Sequence, residues 1–305
     1  MDDLALCGWR VSTEWPLPEL LPWTGEDRPV DITIRLGDVP PELPGQVQTT
    51  PLVQVNDAGW VRYTIRNIAT FLVKDGREIT IDTPHSPDIP DVGLFLLGSV
   101  FGFLCHQRGL LPLHASCVAF GERAIAFAGA SGMGKSTISA CLLAQGAQLV
   151  SDDVTVIDVH APGGPMVLPS FPRQKLWRDT LDALDLAPGR RLRGTVEMEK
   201  FDRPVGTLFR DAPIRLAGVC ELRSRIREDR PRLIPCDGLI AVRMLHRNIY
   251  RRRAATMLGF GNRLLQDAAS LAKMLPHHAL FTPDRLHRVT ETGTELKDLL
   301  EGVQA

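Results

Sequence analysis

The stretch Gly129-Ala130-Ser131-Gly132-Met133-Gly134-Lys135-Ser136 constrains this chain more than any other. It fits the pattern G-x-x-x-x-G-K-[ST] without a gap. Ahead of it lies the apolar run Ala124-Ile125-Ala126-Phe127-Ala128. Behind it, Thr137 to Gln145 reads as a helix that stops at Gly146. Strand, glycine loop and helix in that order are the context in which this pattern binds phosphate. The glycines let successive backbone N–H groups turn toward one anion, and the start of the helix adds partial positive charge. The spacing predicts that Gly129 through Thr137 cradle the phosphates of a nucleotide. Lys135 reaches the β- and γ-phosphates and the Ser136 hydroxyl holds Mg²⁺.

Composition narrows the setting. The chain has 305 residues, 44% of them hydrophobic and 23% charged, as in an ordinary globular protein. A formal net charge of −1 gives no general pull toward nucleic acid or membrane. The start, Met1-Asp2-Asp3, is acidic and carries no secretory signal. The apolar run Val92 to Cys105 is short for a bilayer and reads as a buried helix. The six cysteines show no C-x-x-C pairing, so a reducing cytoplasm is expected, without disulfides or zinc.

The order of elements implies an α/β chain with a β-rich N-terminal region over 1–85 and a domain carrying the glycine loop over 86–305. Val30 to Leu36 alternates apolar and polar residues, as a half-buried strand does. Asn56-Asp57-Ala58-Gly59 marks a turn. Thr70 to Lys74, Asp75-Gly76 and Arg77 to Ile81 spell a hairpin. Asp91 to Arg108 reads as a buried helix ending near Gly109. Leu113 to Phe120 and Ala124 to Ala128 are strands, and Gln148 to Ile157 is one strand interrupted by Asp152-Asp153. Further on, Ile214 to Leu222 is a strand, Gly238 to about Leu258 one helix, and Thr292 to Gly302 a closing helix.

The carboxylate pair is the second constraint. Charged residues directly after Leu149-Val150 need a reason, because a buried carboxylate is costly unless paired or metal-bound. Successive strand side chains point to opposite sides, so one carboxylate faces the glycine loop and the other faces elsewhere. His114, on a strand edge upstream of the loop, is the third candidate.

Taken together, His114, the loop Gly129 to Ser136 and Asp152-Asp153 place the segment Leu113 to Val154 close to a known pattern. It resembles the catalytic domain of the HPr kinase/phosphorylase family, whose fold is an α/β kinase core with a P-loop, related to phosphoenolpyruvate carboxykinase. The resemblance implies that Asp152 takes the proton of an acceptor serine, that His114 positions or tunes it, and that Asp153 joins Ser136 at Mg²⁺. A later acid, Glu197 or Glu199, is an alternative at the metal. Thr137 stands where that family carries Glu, and Glu197-Met198-Glu199-Lys200-Phe201 replaces its Glu-x-Arg-Gly signature. The architecture is therefore more similar to the stand-alone HPr-kinase-related proteins, some of which phosphorylate the C-terminal serine of a lasso-peptide precursor.

The expectation is an ATP- and Mg²⁺-dependent kinase acting on a serine of a peptide or protein, and the resemblance allows a homo-oligomer. Arg173, Lys175, Lys200 and Arg203, with the run Arg251-Arg252-Arg253, are the candidate contacts to phosphate or to a substrate carboxylate. Two other readings of the same residues stand beside this one. One is a nucleotide-dependent regulatory module that transfers nothing, and the other is a kinase of a small molecule.

Overall fold

The computed structural model describes residues 2–86, 90–192, 199–223, 230–283 and 289–304. The chain is a mixed α/β protein that divides into two compact units. The first is Met1–Pro112 with Tyr250–Leu265, and the second is Leu113–Ile249 with Gln266–Ala305. The division thus falls at 112/113, not at the 85/86 expected from the sequence. The reason is that the helix after the N-terminal strands packs on them and belongs with them.

The first unit is built on nine strands: β1 (Asp2–Leu6), β2 (Trp9–Thr13), β3 (Leu21–Pro22), β4 (Ile32–Leu36), β5 (Val47–Thr49), β6 (Val53–Asn56), β7 (Val61–Ile65), β8 (Ala69–Lys74) and β9 (Glu78–Asp82). Their spatial order is β3-β1-β2-β4-β9-β8-β7-β6-β5, with β4 parallel to both its neighbours. The hairpin read from Asp75-Gly76 forms, with φ of 54° and 63° at these two residues. Asp and Gly are the residues that tolerate this conformation.

Helix α1 (Pro90–Phe95) runs through a π-helical stretch (Leu96–Val100) into α2 (Phe101–Gln107). Its aromatic side chains explain its place. Tyr63 on β7 meets the ring of Phe103 edge-on at 5.3 Å and that of Phe95 at 6.4 Å. Gln107 then fastens the helix end. Its amide donates to the carbonyls of Gly59 and Val73 at 2.7 and 3.2 Å, and accepts from Gly76 N–H at 2.9 Å. Gly102 leaves room for the Tyr250 ring, since a Cβ there would lie 2.7 Å from Tyr250 Cδ1.

After β10 (Leu111–Leu113), the second unit contains β11 (Ala115–Phe120), β12 (Arg123–Ala128), helix α3 (Lys135–Ala144), β13 (Gln148–Ser151), β14 (Thr155–Asp158) and β15 (Met166–Leu168). Then come β16 (Arg173–Trp177), α4 (Arg178–Ala183), β17 (Arg190–Arg191), β18 (Lys200–Pro204), a single 3₁₀ turn, and β19 (Ile214–Leu222). The chain closes with β20 (Arg232–Pro235), α5 (Gly238–Arg247), α6 (Arg252–Met257), α7 (Gly261–Met274), β21 (His277–Phe281) and α8 (Val289–Gln304). Residues of α6 and the start of α7 lie in the first unit.

The centre of the second unit is β12, hydrogen-bonded antiparallel to β11 and parallel to β19, which is in turn parallel to β21. Phe127 of β12, Leu142 of α3, Leu280 of β21 and Leu296 of α8 are fully buried in one apolar cluster between sheet and helices. A separate three-stranded sheet, ordered β16-β18-β17, stands beside α3.

Two expected elements are broken. The strand over Gln148 to Ile157 is two strands, because Asp153 takes a left-handed φ of 72° and turns the chain. The helix over Gly238 to Leu258 is α5 and α6, separated at Arg251 with φ 51°. Among the described residues no helix is long and apolar enough to cross a membrane.

Each unit buries a neutral histidine. His106 donates through Nε2 to the Tyr250 carbonyl at 2.8 Å, and its Nδ1 has no partner. His277 bonds the Leu275 carbonyl through Nδ1 at 2.7 Å, and its Nε2 has none. Burial pushes both down to about 4 from 6.5. The folded chain therefore binds fewer protons than the unfolded chain between those values. The contribution is full above pH 6.5 and is lost as pH falls toward 4. The loss is up to about 3 kcal/mol per histidine. His106→Gln should flatten the pH dependence of the urea midpoint across that window. An unchanged slope removes His106 from this account.

Candidate functional site

The glycine loop starts where β12 ends. Gly129 adopts φ 144°, and a Cβ at this position would lie 3.2 Å from the Leu222 carbonyl oxygen on β19. Only glycine passes this point without strain. Gly132 and Gly134 follow at φ 83° and 95°, and α3 begins at Lys135.

Lys135 is 7% exposed and its ammonium is fully engaged. It donates to the carbonyls of Gly129 and Ala130 at 2.8 and 3.0 Å, and to His114 Nε2 at 3.0 Å. Because Nε2 accepts, the proton of the neutral imidazole sits on Nδ1, which donates to the Asp153 carbonyl at 3.0 Å. Burial and the adjoining ammonium of Lys135 lower the His114 pKa, so the ring is neutral at pH 7. Burial also lowers Lys135 to about 8.

Asp152 and Asp153 both turn into this corner, because the chain bends at Asp153 rather than continuing as a strand. Ser136 Oγ donates to Asp152 at 2.8 Å from Oδ1 and 3.1 Å from Oδ2. The backbone N–H of Lys175 donates to Asp152 Oδ2 at 2.8 Å. Asp153 receives Lys175 Nζ at 3.0 Å, and its other oxygen lies 3.5 Å from His114 Nδ1. Burial is the largest single influence and would raise the Asp153 pKa, but the charge and hydrogen bond of Lys175, with the further charges around it, together outweigh it and hold the carboxyl well below the usual range.

His114, Lys135, Ser136, Asp153 and Lys175 line an open cleft, with Asp152 buried behind it. Its floor is the glycine loop with Ser131, Gly132, Gly134, Ser136 and Thr137. His114, Asp153 and Lys175 touch one another on the lining of the cleft, and Leu176, Trp177 and Lys200 complete it, with Lys200 beside the Trp177 ring. A buried polar network supports the floor. Ser139 on α3 accepts from Ser116 at 2.9 Å and from Gln174 on β16 at 2.6 Å, and donates to the Ser136 carbonyl at 3.2 Å. The Thr137 and Thr180 hydroxyls meet at 3.0 Å and bind α3 to α4.

The sequence expectations sort clearly against this geometry. Asp152, expected to face an acceptor, is the carboxylate that meets Ser136. Asp153, expected beside Ser136 at a metal, instead lines the cleft with His114 and Lys175. Which carboxylate had which task was implied by the family resemblance alone; alternation foretold opposite faces, and both carboxylates turn into one corner because alternation stops at the turn at Asp153. Lys175 and Lys200 lie in the cleft, but Arg173 is bound to Asp202 at 2.6 Å, and Arg203 is not among the lining residues. Glu199 pairs with Arg178 and Arg191 at 3.3 and 3.1 Å, away from Ser136. Glu197 lies outside the described residues. Arg251 belongs to the first unit, where it donates to Ser99 Oγ at 2.5 Å. Trp177 and Leu176 were not anticipated. The alternation Arg173-Lys175-Trp177 on one strand was the available signal for Trp177.

No family model and no curated protein matches this chain. Among solved structures, the Hpr(Ser) kinase/phosphatase from Coxiella burnetii is similar at 15% identity, with 63% of this chain and 98% of that chain covered and a TM-score of 0.31. A likeness that loose assigns no chemistry, which rests on the cleft itself.

The buried lysine gives this cleft a pH signature. Lys135 loses its charge as pH rises through about 8, so anion binding should weaken there. Affinity for sulfate, which does not titrate in this range, should hold steady below that point and fall above it, by up to about tenfold per pH unit. A flat profile through the alkaline range shows that Lys135 stays charged or does not meet the anion.

Proposed function

We propose that this chain is an ATP-dependent phosphotransferase whose acceptor is an alcohol, the serine hydroxyl of a peptide or protein. The observation that supports this best is the pairing of Ser136 with Asp152 beside an ionised Asp153 that opens on the same cleft.

Each group has a separable task. The loop amides and Lys135 would hold the phosphate chain. The Ser136 hydroxyl and the Asp152 carboxylate offer hard oxygen ligands suited to Mg²⁺, an ion that keeps waters and takes its remaining ligands from phosphates. Among the described residues no cluster of three or more His, Cys, Asp or Glu offers a larger cage. Mg²⁺, when bound, would supply charge neutralisation at the phosphates.

Asp153 would accept the hydrogen bond of the incoming hydroxyl and aim its oxygen at the γ-phosphorus. The new P–O bond forms to the acceptor, the bridging P–O bond to ADP breaks, and the hydroxyl proton ends on Asp153. Because Lys175 keeps this carboxyl strongly acidic, it acts first as an orienting acceptor and takes the proton late. That timing suits a loose transfer in which the nucleophile contributes little early bonding. His114 would fix both Lys135 and the Asp153 backbone through its two ring nitrogens. The narrower reading, the C-terminal serine of a lasso-peptide precursor, rests on the sequence resemblance over Leu113 to Val154.

The two aspartates separate the roles. Asp153→Asn should cut transfer of labelled γ-phosphate to a peptide library by about 10²–10⁴-fold while ATP affinity stays near wild type. Asp152→Asn should instead weaken Mg²⁺-dependent ATP binding. Wild-type transfer by the Asp153→Asn protein would take Asp153 out of the chemistry. Label that never leaves the nucleotide site of the wild-type protein for any acceptor would favour the regulatory module.

A further inference from the structure

The cleft has a direction, and it assigns a task to its unexplained aromatic wall. His114, Asp153 and Lys175 mark one end, beside Lys135. Strand β16 runs along the cleft away from that end. Lys175 meets Asp153, and Trp177 stands two residues and about 7 Å farther on, its side chain on the same strand face. The chain then enters α4, where the Thr180 hydroxyl meets Thr137, one residue beyond Ser136. Loop and wall therefore run side by side, from the Asp153 end to the Thr137 end.

We propose that Trp177 is the stacking platform for the nucleobase. This inference rests on the phosphotransferase reading. With the terminal phosphate at Lys135 and Asp153, the nucleoside leaves the cleft at the Thr137 end. On the way, between the Lys175–Asp153 and Thr180–Thr137 contacts, the half-buried indole offers the aromatic surface of the cleft lining. Lys200 stands with its ammonium 5.4 Å from the centre of the indole ring and also lines the cleft, close enough to pass from the ring to a phosphate oxygen. A flat π surface with a cation beside it recognises a nucleotide through the base face and the phosphate at once.

The test compares a ligand with a base and one without. Wild type, Trp177→Ala and Trp177→Phe are titrated with ATP and with inorganic tripolyphosphate, each with Mg²⁺. Trp177→Ala should bind ATP about ten- to a hundredfold more weakly while its affinity for tripolyphosphate hardly moves. Trp177→Phe should retain most of the ATP affinity. Indole fluorescence should respond more strongly to ATP than to tripolyphosphate, and that difference should vanish in the Phe variant. Unchanged ATP affinity in Trp177→Ala, equal losses for both ligands, or an effect confined to the acceptor KM overturns the proposal. A wild-type protein that binds neither ligand overturns the phosphotransferase reading, and this inference falls with it.

Discussion

The Asp152 carboxylate joins the parts on which the cleft depends. It is 4% exposed, so its lone pairs must be filled from within the protein. One donor is the hydroxyl of Ser136 on the first turn of α3, and the other is the Lys175 backbone N–H on β16. The glycine loop and the opposite wall are thus held at a fixed spacing by one side chain from a third element. Replacing one donor would leave part of a buried charge unsatisfied, a loss of several kcal/mol. This bond also decides where β16 lies, and so where Lys175 and Trp177 stand.

Its neighbour Asp153 takes a left-handed φ of 72°, at a cost smaller for Asp than for most residues with a side chain. The cost is offset locally. The Asp153 carbonyl accepts from His114, and its carboxylate binds Lys175. His114 also accepts from Lys135, so imidazole, ammonium and carboxylate form one continuous chain of contacts. Desolvation lowers Lys135 and His114, while Lys175 keeps Asp153 ionised. At neutral pH the corner therefore presents a cation and an anion, with a neutral ring between them.

Much of the scaffold was legible from local chemistry. The Asp75-Gly76 hairpin and the strand over Ile214–Leu222 appear where pattern and turn residues put them. The loop into α3 was legible because Gly129, Gly132 and Gly134 all take positive φ, although Gly129 is also held to glycine by Leu222 on β19. The division of the chain was less so. Phe95 and Phe103 bind the helix 90–107 to Tyr63 on β7, and no local signal announces a partner that far away.

The glycine loop was written in sequence, because a run of glycines followed by Lys135 and Ser136 carries its geometry in its own backbone. Which aspartate touches Ser136 was not, since alternation along a strand holds only while the strand continues and the turn at Asp153 ends it. The loss of Arg173 to Asp202 and the placing of Trp177 on the cleft wall were likewise decided by pairing between distant strands. Local backbone preference sets what a short segment can grip. Only long-range packing chooses what stands opposite it.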